Sequence, residues 1–349
     1  MLLEENIPLA PLTTFDIGGK ARYFVSAATV QDVEEAALWA RSRDLPLFVL
    51  GGGSNVLIAD AGWPGLVLKI AISGIDRREE HEGKCRFEVG AGECWDRFVS
   101  HAVGFGCAGI ECLSGIPGSV GGTPVQNVGA YGEEVSETIE SVQVLDLRDS
   151  QIRELCNEAC RFEYRASIFN TSERGRFIVL GVNFALNFGG KPRITYADLI
   201  RHFEGWSSPP TLAATREAVR HIRAVKGMLI VSGDSDSRSV GSFFKNPVLT
   251  ESECQNLKKR AAERGLVVPD YPALTSHRKV SAAWLVQHSG FAKGFSCGRV
   301  GISKKHALAL VNRGGARASE VLELKEQIQQ RVEEIWGIPL EPEPVMVGF

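Results

Sequence analysis

Apolar positions recur along this chain with two different periods, and the change from one to the other divides it. Thr29 and Asp32 stand at capping-box spacing, and Val33, Ala36, Ala37 and Ala40 follow with the period of one helix face. That helix should stop near Arg43, ahead of Pro46. Leu47 to Leu50 then reads as a short strand running into Gly51-Gly52-Gly53. From there to about residue 190 short apolar runs dominate, at 66–70, 87–89, 142–147 and 177–184, and they predict a sheet-rich region. Gly205, Ser207, Ser208, Pro209 and Pro210 mark a linker within 204–210, beyond which helical spacing takes over. Residues 213–226 put Ala218, Val219, Ile222 and Val225 on one face, Thr250 and Glu253 cap a helix ending near Gly265, and 319–336 is stopped by Gly337. Strands are expected within 241–248 and 291–311. The pattern implies an α+β chain without internal repeats.

Composition narrows the function. With 349 residues, 44% apolar and 23% charged, the chain should fold as two or three globular units. A net charge of −3 offers no basic field, so nucleic acid is not an expected partner. The acidic start Met-Leu-Leu-Glu-Glu-Asn and the lack of an apolar run of about 20 residues predict a cytoplasmic protein without a membrane span. The eight cysteines show no Cys-x-x-Cys spacing and read as free thiols, with Cys156 and Cys160 sharing a face if their stretch is helical. The seven histidines form no ligand pattern, so no catalytic metal is expected.

Glycine carries the chemistry. Gly51-Gly-Gly-Ser-Asn55 and Gly115-Ile-Pro-Gly-Ser-Val-Gly-Gly122 both have the makings of a backbone cradle for phosphate, because residues without Cβ let successive N–H groups close on an anion. Two cradles suggest a dinucleotide. Gly104-Phe-Gly106-Cys-Ala-Gly109 fits the Gly-x-Gly-x-x-Gly fingerprint by letter, but it follows the helical pattern of 95–103 instead of opening a helix, so the Rossmann reading is rejected.

Several runs, in order over almost the whole chain, resemble the flavin-dependent UDP-N-acetylenolpyruvoylglucosamine reductases of bacterial peptidoglycan synthesis. They are Leu12-Thr-Thr-Phe15 with Gly18-Gly19, Gly51-Gly-Gly-Ser-Asn-Val-Leu57, Leu113-Ser-Gly-Ile-Pro-Gly-Ser-Val-Gly-Gly122 with Asn127-Val-Gly-Ala-Tyr-Gly132, Tyr164-Arg165-Ala-Ser167, Gly241-Ser-Phe-Phe-Lys-Asn-Pro247 and Leu340-Glu-Pro-Glu343. The resemblance implies an FAD-binding domain of the vanillyl-alcohol-oxidase type in two subdomains, 1–72 (joined by the tail 337–349) and 73–204, followed by an α+β substrate domain, 211–336. It implies NADPH-dependent reduction of UDP-N-acetylglucosamine enolpyruvate to UDP-N-acetylmuramate, by a monomer.

It also implies roles. FAD should be held noncovalently by Gly51, Gly52, Gly53, Gly115, Pro117, Gly118, Gly121, Gly122 and Gly129, with side-chain donors Ser54, Asn55, Ser119 and Asn127. Covalent flavoprotein relatives often carry histidine in the first loop, where this chain has Ser54 and Asn55. Arg165 should stabilise the substrate carboxylate, Ser242 should deliver the proton, and Glu343 should help polarise or protonate the enolpyruvyl end. Residue pattern alone does not choose Glu343 over Glu341, since positions two apart in a strand share a face. Tyr164, Tyr196, Lys226 and Asn246 are the expected substrate contacts. Pro344 departs from the family pattern and puts the aim of Glu343 in question; the segment 228–239 is longer than the pattern and reads as a surface loop. Two rivals are a related flavin oxidase of an alcohol or sugar, and a UDP-sugar or flavin-binding module without chemistry.

Overall fold

The computed structural model describes residues 1–78, 83–273 and 276–349. Met1–Ile7, Ala21–Gly53 and Trp63–Ala224 form one compact unit; Pro8–Lys20, Ser54–Gly62 and Val225–Phe349 form the other. Both mix helices and strands, an α+β architecture.

The first unit begins with a sheet in which Glu4–Pro8, Lys20–Ala27, Trp63–Ile70 and Leu47–Leu50 lie side by side in that order, the last three parallel. Leu66, Val67 and Leu68 are all fully buried, which is why this strand reads as a continuous apolar run. Helix α1 (Val30–Arg41) adds Val33, Ala36, Ala37 and Ala40 to the same core as Leu66 and Leu68. The Thr29 hydroxyl accepts from the Asp32 N–H while the Asp32 carboxylate takes the Thr29 N–H, so two orphan donors of the first turn are satisfied.

An antiparallel second sheet runs Gln151–Cys156, Ile139–Asp146, Phe177–Phe188, Lys84–Gly90, Ile75–Arg77. Helix α2 (Trp95–Gly104) sets Phe98 against Phe184 at 4.8 Å and Phe87 at 5.6 Å. Trp95 Nε1 donates to the Leu113 carbonyl at 3.0 Å, which pins the entry of the second glycine loop to this helix. Gly106, with φ +72°, lies just past the end of α2, so the Gly104–Gly109 pattern closes a helix.

Helices α3 (Asn157–Cys160), α4 (Ala197–His202) and α5 (Leu212–Val225) complete the unit. Because α3 begins only at Asn157, Cys156 is exposed ahead of it while Cys160 is buried, and the two thiols share no helix face. Helix α5, expected to open the substrate domain, instead buries Thr215, Ala218 and Val219, and its two apolar residues join Cys112, Tyr131, Leu199 and Phe203 in a small core of the first unit.

In the second unit, helices α6 (Glu251–Ala262), α7 (Ala282–Gln287) and α8 (Ala318–Trp336) accompany two three-stranded antiparallel sheets. One joins Val248–Thr250, His277–Val280 and Asp270–Pro272; the other joins Ser296–Cys297, Val300–Ile302 and Leu310–Asn312. Phe15, Ile17 and Leu57, from early in the chain, share its core with Phe243, Phe244, Leu324 and Trp336. Val345–Val347 pairs in parallel with Val56–Ile58. Of the strand expected within 241–248, only Val248 begins one, and 241–247 form no strand beyond a single bridge from Phe244 to Pro342. In an antiparallel strand the N–H and C=O of one residue face the same neighbour, whereas the Phe243 N–H goes to Leu308 and its C=O to Glu343.

Candidate active site

In the first unit the two glycine turns meet. A Cβ placed on Gly52 would lie 2.5 Å from the Gly118 Cα and 2.8 Å from the Ser119 nitrogen, and one on Gly51 would lie 2.8 Å from the Ser119 Oγ. Gly115 (φ +71°) and Gly118 (φ +128°) occupy backbone regions that side chains rarely enter. The N–H groups of Val120, Gly121 and Gly122 are taken by the carbonyls of Glu93, Ala91 and Ser119, and that of Gly115 by Asp96 at 2.6 Å. The stretch able to turn to an anion is therefore 116–119, narrower than the 115–122 loop expected. The Ser119 Oγ is buried without a hydrogen-bond partner, although such a group costs about 1–3 kcal/mol. A phosphate oxygen is the kind of acceptor that would relieve it, and in this respect the cradle fits the diphosphate of FAD.

Asn127, expected to donate to the cofactor, is a brace instead. Its amide hydrogens go to Glu134 Oε2 at 2.8 Å and the Glu163 carbonyl at 3.0 Å, and its Oδ1 takes the Ser136 N–H. Arg165 is reached from the other side of the same turn. Its Nη2 donates to the Gly129 carbonyl at 2.6 Å, and a Cβ on Gly129 would come within 3.2 Å of its Nη1. The guanidinium also lies 5.3 Å from the Tyr164 ring. Asn127 (φ +44°), Tyr131 (φ +51°) and Arg165 (φ +56°) are all left-handed, a strain that concentrates where geometry is functional. Tyr196, exposed at the start of α4, meets the edge of Tyr131 at 5.3 Å.

Sequence reasoning missed the arginine row of α5. Arg216 binds Asp96 through two hydrogen bonds (2.6 and 3.0 Å), Arg220 adds a third at 2.6 Å, and Arg223 Nε donates to the Gly115 carbonyl at 3.1 Å. The backbone N–H and C=O of Gly115 are thus both held. Burial by itself would raise the Asp96 carboxyl; the bonds from Arg216 and the Gly115 N–H outweigh it and hold it below the usual range. Burial lowers the Arg223 guanidinium. The signal was present as three arginines at i, i+4 and i+7, which looks like a solvated face until the partner is known.

Directly behind the Gly129–Gly132 turn, Glu111 and Glu133 are both buried, and Glu133 is pushed up to about 8, chiefly by burial and then by the charge of Glu111. Glu111 takes the N–H groups of Gly109 (2.7 Å) and Arg193 (3.1 Å). Glu79, Glu80, His81 and Glu82 lie outside the described residues; among those described, Glu111, Cys112 and Glu133 are the one group whose metal-ligating atoms lie within 4.8 Å of each other. Burial pushes the Cys112 thiol up as well, and the Glu133 Oε2 accepts the Cys112 N–H at 2.9 Å.

In the second unit the backbone of Phe243, the residue after Ser242, is bonded on two sides. The Phe243 N–H donates to Leu308 O at 2.8 Å and its carbonyl accepts the Glu343 N–H at 2.9 Å. Glu341, whose carbonyl accepts the Lys245 N–H at 2.9 Å, is exposed and pairs with Lys245 Nζ at 3.4 Å, whereas Glu343 is half-buried. Asn55 Nδ2 donates to the Glu343 carbonyl at 3.3 Å. Pro344 falls where pairing with 243–245 ends and pairing with 55–58 begins at the Val345 N–H, a point at which no donor is needed. Asn246 Oδ1 takes the Ala282 N–H at the start of α7, which leaves its amide hydrogens as what it can offer a ligand. Lys226 precedes Gly227, where an added Cβ would lie 3.2 Å from the Lys305 Cβ and 3.3 Å from the Ser303 Oγ. Ser54 heads the segment that carries Asn55.

Similarity to known proteins covers the same ground. Residues 234–347 match the C-terminal domain model of UDP-N-acetylenolpyruvoylglucosamine reductase, and 21–155 match an FAD binding domain model. The UDP-N-acetylenolpyruvoylglucosamine reductase of Thermobifida fusca is 43% identical, over 98% of this chain and 97% of its own length. That of Streptomyces avermitilis is 44% identical, over 98% and 94%. The crystal structure of the Thermus caldophilus UDP-N-acetylenolpyruvylglucosamine reductase superposes with a TM-score of 0.66 at 27% identity, covering 99% of each chain. Identity at this level over nearly the full length shows that the chain belongs to the UDP-N-acetylenolpyruvoylglucosamine reductase family.

Proposed function

We propose that this chain reduces UDP-N-acetylglucosamine enolpyruvate to UDP-N-acetylmuramate, with NADPH as reductant and noncovalent FAD as carrier. The observation that carries the reading is the pair of glycine turns, Gly52 against Gly118, around the orphaned Ser119 hydroxyl, in a chain of this family. Gly51–Gly53 and residues 116–119 would hold the cofactor's diphosphate. FAD, when bound, supplies the hydride that goes to the terminal carbon of the enolpyruvyl group.

The residues of the chain do the rest. Negative charge builds toward the substrate carboxylate, and Arg165 meets it with a guanidinium that stays charged and matches a carboxylate bidentately. The carbon bearing the ether oxygen then needs a proton. Ser242 supplies it from its hydroxyl, a weak acid that suffices because the carbanion is strongly basic. Glu343, on the peptide bonded to Phe243, orients the enolpyruvyl end. Lys226 offers a point charge to the diphosphate of the UDP part, Asn246 two N–H donors, and Tyr164 and Tyr196 aromatic faces. We further place the protein in the cytoplasm as a monomer, where UDP-sugars and NADPH are available. Among the described residues no helix is long and apolar enough to cross a membrane.

Anaerobic half-reactions followed by flavin colour test this reading. Ser242→Ala should leave flavin reduction by NADPH intact and slow reoxidation by the enolpyruvyl substrate about 10²- to 10⁴-fold, the usual contribution of a general acid. Equal loss in both halves removes Ser242 as the acid. Failure of the native protein to turn over both substrates removes the activity.

A further inference from the structure

The segment between Lys226 and Ser242, expected as a surface loop, is wired into the second unit at its C-terminal half. The side chain of Asp234 accepts the Asp236 N–H at 2.9 Å, and Ser237 Oγ lies 2.7 Å from the Asp234 carbonyl and 3.0 Å from that of Val231. Asp236 is only 8% exposed. Its Oδ2 accepts the Ser303 hydroxyl at 2.9 Å and the Lys304 N–H at 2.9 Å. Ser303, fully buried, in turn accepts the N–H groups of Lys305 (3.0 Å) and His306 (3.3 Å), so one hydroxyl oriented by one carboxylate organises the whole 303–306 turn.

That turn leads directly to the proton donor. His306 Nδ1 accepts the Leu308 N–H at 3.1 Å, and the Leu308 carbonyl accepts the Phe243 N–H at 2.8 Å, the peptide that follows Ser242. On the other side of Ser242, the Gly241 N–H donates to Ser239 Oγ at 3.2 Å. Ser239 is itself held by Thr14 Oγ1 on its carbonyl (2.7 Å), and Arg238 by the Asn312 N–H on its own (3.0 Å). Both N–H groups flanking Ser242 are therefore fixed by segments that Asp236 ties together. Lys305 pairs with Asp234 at 2.6 Å, while the Asp236 carboxylate accepts the Ser303 hydroxyl and the Lys304 N–H.

We propose that Asp236 is a positioning residue for proton delivery: through Ser303 it fixes the 303–308 turn that sets the pose of Ser242. The inference rests on Ser242 being the proton donor. It predicts that acceptor geometry, not negative charge, is what matters, because an amide oxygen at the same place can accept the same two hydrogens. A misplacement of about 1 Å at a reacting group can cost on the order of 10²-fold in rate.

The experiment uses the holoenzyme and the two half-reactions at saturating substrate. Asp236→Ala should slow reoxidation of reduced flavin by the enolpyruvyl substrate about 10- to 100-fold and leave reduction by NADPH within about 2-fold. Asp236→Asn should recover most of the lost rate, Ser303→Ala should reproduce the loss, and in a Ser242→Ala background Asp236→Ala should add little further slowing. The proposal is overturned if Asp236→Ala slows both halves alike or neither, if Asp236→Asn is as slow as Asp236→Ala, or if the two substitutions multiply fully. Should Asp236→Ala fail to fold, Ser303→Ala decides by the same criterion. Ser242→Ala alone separates the two claims: if it leaves reoxidation unchanged, the donor assignment fails, and if it slows reoxidation while Asp236→Ala and Ser303→Ala do not, only the positioning role fails.

Discussion

Gly52 lies against Gly118 because neither carries a Cβ, whereas Ser242 is held because the N–H groups on both sides of it are bonded to parts of the chain far away in sequence. The first arrangement is a steric property of backbone and is written in two short runs of letters. The second is a network property. It takes in Thr14, Asp236, Ser239, Ser303, Leu308, Asn312 and Glu343, and no contiguous stretch of sequence contains enough of it to be recognised. The cradle should therefore fail abruptly when a single methyl group is added, and the Ser242 region should lose function in proportion to the bonds removed.

The sharpest test of the contrast is Gly52→Ala. The new methyl group would have to displace backbone, at Gly118 and Ser119, and not the flexible end of a side chain. We expect flavin affinity to fall about 10²- to 10³-fold, equivalent to roughly 3–4 kcal/mol, with little change in the second unit. Flavin absorbance retained after gel filtration measures it, and a fully yellow variant would break the steric account of the cradle.

Asn312→Ala is the counterpart in the network. The side chain is fully buried and makes four hydrogen bonds, donating to the carbonyls of Phe15 (3.1 Å) and Asp16 (2.9 Å) and accepting from Gly314 (2.9 Å) and Ala316 (3.1 Å). Removing it strands buried backbone groups at about 1–3 kcal/mol each, partly relieved by water, for a net loss near ~3 kcal/mol. Denaturant unfolding should show this loss while flavin stays bound. Loss of flavin at unchanged stability would erase the distinction between the two regions.

The same contrast explains how much could be read from residues alone. Capping boxes at Thr29 and Thr250 were legible because all their atoms lie within four residues. The Gly104–Gly109 pattern was rejected on the helix before it, again a local fact. The arginines of α5 were not legible, because Asp96 is 120 residues from Arg216 and nothing nearby distinguishes a charge row that is bonded from one that is solvated. Asn127 matched a motif expected to touch cofactor, yet its bonds to Glu134 and Glu163 make it a brace of that turn. Glu341 and Glu343 look alike in the residue pattern, and only the fold sets them apart, Glu341 being exposed and paired with Lys245 and Glu343 half-buried.

A smaller effect should mark the acid pair behind the Gly129–Gly132 turn. Glu133 has its carboxyl raised to about 8 in the folded protein, above its ordinary unfolded value of about 4.5. Its contribution to stability is fully present below the unfolded value and is lost as pH rises through the folded one, since the unfolded chain releases the proton first. Unfolding midpoints should decline between pH 5 and about 8 from this group and level off above. Glu133→Gln, which has no titrating proton, should flatten that part of the profile. An unchanged slope would remove the raised Glu133 carboxyl from the account.

Ser119→Ala is the smallest change and bears on what the cradle is for. The wild-type hydroxyl is buried and has no hydrogen-bond partner, at a site where Gly51 and Gly52 leave no room for a side chain of their own. Replacing it with a methyl group removes that unmet need from the flavin-free protein, which should become more stable by about 1 kcal/mol. The same substitution deletes a donor to the ligand, so flavin should bind more weakly by a similar amount, roughly 5- to 10-fold. Opposite signs for the two measurements are the signature of a polar group retained for binding at the expense of folding. If apo stability falls instead, the hydroxyl is a structural group whose partner forms in solution, and the cradle then holds its anion through backbone N–H groups alone.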